Sequence, residues 1–189
     1  MNRRAAISIF VFVTFFSTVD CTFAAAPEAP LAPEVSPPGD IPDNQAFTTY
    51  TGSSGYAIKI PEGWARKDVG DTIVFNDKYN HITLTSRLSN QPIDEAYAAS
   101  TLVADLKNSG RAVSDIKISS VKLKSGKTIK ISFDSNSEPN AVTNKQIREE
   151  NEKFYYTHNG KVLELTLSAP KGADNVDQWS LISSSFKWK

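Results

Sequence analysis

Asn159-Gly160 stands between two runs of alternating apolar residues, Phe154 and Tyr156 before it and Leu163, Leu165 and Leu167 after it. A two-residue type I′ turn needs positive φ at both central positions, and Asn-Gly adopts it at low steric cost. The pattern predicts an antiparallel hairpin whose strands each have one apolar face. Other segments repeat the theme. Tyr56 to Ile60 alternates between Gly55 and Pro61, Thr72 to Phe75 forms a short run, and Ile82, Leu84 and Leu88 interleave with Thr83, Thr85 and Arg87. Ile129, Ile131 and Phe133 follow the turn Lys124-Ser125-Gly126-Lys127, and Ser135 to Thr143, with Pro139, reads as a loop. Pro61-Glu62-Gly63 makes a tight turn, after which Trp64 folds back onto the core.

Two segments have helical period. Ile93, Ala96, Tyr97, Ser100, Val103 and Leu106 or Lys107 share one face, Pro92, Asp94 and Glu95 suit the first turn, and Gly110 suits the end. Val176, Trp179, Ile182 or Ser183, and Phe186 form a second stripe beyond Pro170 and Gly172. Ile116 and Ile118 have one parity and Val121 and Leu123 the other, which predicts a bulge near Ser119-Ser120. The element order β-β-β-α-β-β-β-β-α predicts an α+β fold, an antiparallel β-sheet flanked by helices.

The amino terminus carries a different message. Arg3 and Arg4 precede a mostly apolar run from Ile7 to Val19, and Ala24-Ala25-Ala26 supplies small residues for cleavage. The run is shorter than the ~20 residues a membrane-spanning helix needs. Residues 1–26 therefore read as a signal peptide, with no transmembrane segment after cleavage. Cys21 is the only cysteine, and Asp20 before it argues against lipidation. Cleavage after Ala26 leaves no disulfide, thiol nucleophile or cysteine-ligated metal. The product is expected in the periplasm or outside the cell, or in the thylakoid lumen of a cyanobacterium. Residues 27–46, with six of the ten prolines between Pro27 and Asp43, read as an extended, disordered spacer. Residues 47–189 form one domain.

Charge narrows the function classes. Lys+Arg and Asp+Glu both number 21, and losing Arg3, Arg4 and Asp20 leaves a net charge of −1. Such a domain lacks the footprint of a non-specific nucleic-acid binder. His81 and His158 are the only histidines, fewer than the three or four ligands a metal site usually takes. Ser53 and Ser54 do not form a Gly-x-Ser-x-Gly elbow, and no phosphate-binding glycine loop is present. Glu149, Glu150 and Glu152, beside Lys145, Arg148 and Lys153, read as a solvated charged face rather than a calcium site, and Asp68, Asp71 and Asp77 are a weaker acidic group. Tyr56, Trp64, Phe75, Phe154, Tyr156, Trp179 and Phe186 read as core. Trp188, past the last periodic position, is free to touch a partner. No catalytic, cofactor or metal residue is assigned.

The segment from Tyr56 to Trp64, Tyr-Ala-Ile-Lys-Ile-Pro-Glu-Gly-Trp, resembles the opening of PsbP-like proteins. The hairpin from Phe154 to Ser168 resembles their penultimate strands, and the helix ending in Ser185-Phe186 fits their close. The resemblance spans most of residues 47 to 188. It implies the Mog1/PsbP-like α/β/α sandwich and a non-enzymatic accessory role with a protein or membrane-complex partner. Family members in oxygenic phototrophs serve the lumenal side of photosystem II and support its calcium and chloride requirement. The alternatives are a small periplasmic hydrolase and a tethered envelope structural protein.

Overall fold

The computed structural model describes residues 28–35, 38–140 and 142–189. Residues 1–26, read from the sequence as a signal peptide, lie outside the described residues. A seven-stranded antiparallel sheet runs in the order β3-β4-β5-β9-β8-β7-β6. Its strands are β3 (Ala65–Val69), β4 (Thr72–Asp77), β5 (Asn80–Leu88), β6 (Ser114–Leu123), β7 (Gly126–Asn136), β8 (Arg148–His158) and β9 (Lys161–Pro170). A second sheet holds β1 (Phe47–Gly52), β2 (Tyr56–Pro61) and β10 (Lys187–Trp188), in the order β1-β2-β10. Strands β1, β3 and β10 add to the expected elements. β3 is exposed throughout and β10 is two residues long, so neither carries a readable alternation.

The β8–β9 hairpin pairs Phe154 with Leu165 and His158 with Lys161, and Asn159 and Gly160 both have positive φ, 47° and 73°. On one face of the large sheet, Phe75, Ile82, Leu84, Phe154, Tyr156, Leu163, Leu165 and Leu167 form the main core with Tyr56, Ile58 and Ile60 of the small sheet. Trp179 and Ile182 of α3 (Val176–Ser185) close it. On the opposite face, Ile129, Ile131, Phe133, Tyr155 and Val162 pack against the first helical segment. The result is an α+β body with apolar layers on both sides of one sheet. Close packing also fixes a glycine: a Cβ on Gly52 would lie 2.2 Å from the Tyr56 ring across the β1–β2 pair.

Those two faces correct the expectation for β6. The bulge lies between Ser114 and Lys117, while pairing is regular through Ser119 and Ser120. Ile116 and Ile118 reach the second core and Val121 and Leu123 the main one. The parity switch thus follows from one regular strand contributing to two cores.

The first helix also departs from the expected stripe. It is built of α1 (Glu95–Tyr97), a π-helical turn (Ala98–Leu102) and α2 (Val103–Asn108). Asp94 Oδ1 accepts the Tyr97 N–H at 2.8 Å, capping the start. Ala98 and Leu102 are buried, whereas Ala96 and Ser100 are exposed. A π turn advances the inward face by five residues, from Tyr97 to Leu102, and a stripe read at 3.6 residues per turn slips off it.

The described part of 28–46 is an arm held against the domain, which corrects the reading of a disordered spacer. Ile41 is 3% exposed in the main core. Asn175 Oδ1 accepts the Ile41 N–H at 2.7 Å, and its amide donates to the Gly39 carbonyl at 2.9 Å. Asn136 does the same for the Leu31 N–H and the Ala29 carbonyl. A Cβ on Gly39 would come within 2.6 Å of Pro170. Two asparagine amides replace the sheet partners that a proline-rich backbone lacks, and a single isoleucine anchors it.

Candidate functional site

Strand β8 is an interior strand with two strands on one side and four on the other, which explains why its charged residues are not a solvated face. Arg148 is 4% exposed, donating to the Ala112 carbonyl, Asn136 Oδ1 and Ser114 Oγ. Alternation along β8 sends Glu150 and Glu152 to the α3 side and Glu149 to the other. The three carboxylates therefore serve two separate concavities.

The first is a groove of about 590 Å³ between α3 and strands β6 to β8. Trp179 and Phe154 supply apolar wall. Lys130 binds Glu152 at 2.6 Å, and Lys171 binds Asp134. Burial, reinforced by Asp134, raises the Glu150 carboxyl above its ordinary value, while bonding to Asp134 raises Lys171. Four of the seven charged residues that line the groove are thus paired with one another. Trp179 and Phe154, read as core, are core residues that also face this opening.

The second is a cavity of about 410 Å³ on the opposite face, roofed by the loop after β7. His81 pairs across β5–β9 with Ser168, and Ser168 pairs across β9–β8 with Asn151. Glu149 lies two residues from Asn151 on the same face. Ser168 Oγ donates to Asn151 Oδ1 at 2.6 Å, and the Asn151 amide donates to Ser135 Oγ at 3.0 Å. Burial pushes His81 below its ordinary value, so the imidazole is neutral at pH 7. Burial pushes the Glu149 carboxyl up to about 7, and the charge of Arg111 opposes the rise.

Glu149 has a consequence for stability. Its folded-state value exceeds the ordinary 4.5, so the folded chain holds this proton more tightly than the unfolded one. Stability falls as pH rises from 4.5 to about 7, by roughly 3 kcal/mol from this group. His81 acts in the opposite sense: its depressed value makes stability fall as pH drops through 6.5. Glu149→Gln is expected to be more stable than wild type at pH 8 and equal to it at pH 4, read from urea midpoints. A variant no more stable at pH 8 would show that the carboxylate is compensated.

The other candidates do not join these sites. On β9, the partners of His81 and His158 are Ser168 and Lys161, seven residues and roughly 24 Å apart. His158 stacks on the half-buried Trp188 with ring centroids 6.1 Å apart, and Trp188 also packs edge-on to Phe186. Lys145 binds Glu34 of the arm and Lys153 binds Glu164. Asp68 binds Arg66 through both oxygens on the exposed strand β3, and the Ser54 carbonyl accepts from Lys161. Among the described residues, no group of three or more His, Cys, Asp or Glu side chains is placed to hold a metal ion. Sequence reading missed Asn151 and Ser168, which lie among strand residues of ordinary polarity, and the alternation of β9 that puts Ser168 opposite the leucine face was the available signal.

No protein-family model matches the chain, and no curated protein matches it in sequence. Solved structures do. The solution structure of cyanobacterial PsbP (CyanoP) from Synechocystis sp. PCC 6803 matches with a TM-score of 0.50 and 14% identity, over 77% of this chain and 94% of that one. The Ran-binding protein Mog1p of Saccharomyces cerevisiae matches with a TM-score of 0.51 and 8% identity, over 77% and 96%. A crystal structure from Bacteroides thetaiotaomicron VPI-5482 has a TM-score of 0.47 and 10% identity over 75% of this chain, which spans about half (48%) of that one. At such identities the likeness is one of fold. The antiparallel sheet with helices on its two faces is, accordingly, a Mog1/PsbP-like α+β fold.

Proposed function

We propose that this chain is an exported accessory protein that works by binding a protein or membrane-complex partner and performs no catalysis of its own. Export rests on the Arg3-Arg4 pair, the short apolar run and the Ala24-Ala25-Ala26 site. The observation that carries the binding reading is the groove beside α3. Its lining sets the pairs Lys130–Glu152 and Lys171–Asp134 beside Trp179 and Phe154, with Asp115, Lys117 and Glu150 outside any ion pair among the described residues. Such a surface recognises a complementary polar segment through geometry and charge order. A Ran-binding protein on the same fold supports a protein as the occupant. Association with photosystem II is the finer form of this reading, supported by the PsbP-like segments and the fold shared with CyanoP.

The test is capture of a partner from the organism's own envelope extract by the mature protein, residues 27–189. A stoichiometric partner is expected, with capture reduced at least tenfold by Lys130→Glu. A photosystem subunit in that fraction supports the finer form. No partner, together with turnover in a hydrolase screen, would reverse the reading in favour of an enzyme. That second reading has its own observation, since His81, Glu149 and Ser168 share one cavity. Against it stands the hydrogen bond of Ser168, whose hydroxyl donates to Asn151. A nucleophilic serine needs its proton directed at the base.

A further inference from the structure

A third concavity, of about 390 Å³, lies beside the end of α3, and its charge is of one sign. Lys59 of β2, Lys187 of β10 and Lys124 of the turn between β6 and β7 line it, and no carboxylate does. Among the described residues, none of these three ammonium groups makes an ion pair or a hydrogen bond. In the groove, by contrast, Lys130 and Lys171 each hold a carboxylate.

The fold brings these cations together from three elements. Lys187 stands opposite Ala57 in the β10–β2 pair, and Lys59 is two residues from Ala57 on the same face of β2. Diagonal neighbours of that kind lie roughly 7–8 Å apart, within reach of one another's long side chains. Ser185 Oγ accepts the Lys59 backbone N–H at 2.8 Å, which ties β2 to the end of α3. Lysines beside a helix C-terminus can donate to its open carbonyls. Here the carbonyls of Ile182 and Ser183 accept from Ser185 Oγ and the Tyr156 hydroxyl instead, and among the described residues no lysine donates to α3. The helix end therefore does not account for the three charges. Like charges around one opening repel, and a cleft lined by one sign of charge concentrates ions of the other.

We propose that this concavity binds a phosphate monoester, its terminal oxygens shared among Lys59, Lys124 and Lys187 and its organic part against the exposed side chain of Leu181. This goes beyond the partner-binding reading, because no residue lines both openings and the ligand is of a different class. A monoester carries a charge of about −1.5 to −2 at pH 7 and three acceptor oxygens, one for each ammonium. Lysine meets phosphate as a point charge, with no planar fork to align. A soluble ester and the headgroup of phosphatidic acid present the same group.

The experiment titrates the mature protein with glycerol 3-phosphate and follows the backbone amides by NMR. Saturable shifts are expected at Lys59, Lys124 and Lys187 and not at Lys130 or Lys171. Lys124→Gln should weaken binding at least tenfold. Lys122→Gln removes the same charge from an exposed residue two places earlier, on β6, and should change affinity less than twofold. A second arm sediments the protein with phosphatidylcholine vesicles carrying phosphatidic acid or, at equal charge, the phosphodiester phosphatidylglycerol. Binding of glycerol 3-phosphate supports the site with a soluble ester as its source, and sedimentation with phosphatidic acid alone supports it with a lipid headgroup. No binding in either arm overturns the proposal, as do equal losses in the two glutamine variants. So does a lipid response that phosphatidylglycerol reproduces without any binding of glycerol 3-phosphate. Partner capture by the groove is read separately and should be unchanged in Lys124→Gln, so the two readings fail independently.

Discussion

Tyr156→Ala lowers the unfolding free energy by about 4 kcal/mol, the upper range for truncating a buried aromatic ring. The reasons converge on one side chain. Tyr156 is 1% exposed and stacks on Phe186 with centroids 3.9 Å apart and on Phe154 at 6.2 Å. Its hydroxyl donates to the Ser183 carbonyl at 2.8 Å, near the end of α3. Burial raises its phenol well above the ordinary value, so the group stays neutral and donates throughout the physiological range. Truncation opens a cavity between β8 and the segment joining α3 to β10, and it frees a carbonyl. Tyr156→Phe isolates the hydrogen bond and should cost about 1 kcal/mol. Urea denaturation gives both values. A loss below about 1.5 kcal/mol for the alanine variant would mean that α3 is not seated through this ring.

Asn175→Ala is expected to cost about 2–3 kcal/mol, because it leaves buried backbone groups without partners. Asn175 stands at the N-cap of α3 but makes no side-chain cap bond. Its amide is turned to the arm, accepting from Ile41 and donating to Gly39 and, at 3.3 Å, to Asn80 Oδ1. The residue is 2% exposed, so water cannot readily replace those bonds. Loss of the amide should free the arm as well as weaken the fold. Limited proteolysis reads this directly: cleavage within 39–46 should accelerate strongly in the variant. Asn175→Asp keeps the acceptor for Ile41 and loses the donor, and should fall between. An unchanged cleavage rate would show that Ile41 alone holds the arm.

Legibility of the fold varied with the kind of signal. Asn159-Gly160 and the leucines of β9 were plain, because period two and a positive-φ turn are local properties of the chain. The π turn was not, since Ala96 and Ser100 fit a 3.6-residue stripe as well as Ala98 and Leu102 do. Only packing against Ile129 and Tyr155 selects the wider turn. The arm was misread because proline content describes what a segment cannot bond to itself, and says nothing of asparagines more than a hundred residues away.

The candidate site was legible in part. Alternation already implied that Glu149 and Glu150 face opposite ways. It could not show that β8 lies inside a seven-stranded sheet, where a carboxylate loses water. His81 was a residue of interest as a lone imidazole, and its neighbours Ser168 and Glu149 lie on strands more than sixty residues further along the chain.

The sequence by itself determined the antiparallel strands, the hairpin turns, the final helix and the α+β class, because each depends on residues close together along the chain. Strand order was decided only in three dimensions. So were the burial of Arg148 and Glu149, the docking of the arm and the meeting of His81 with Ser168. All of these arise from contacts between distant segments, whose free energy exists only once the sheet has closed between its two apolar layers.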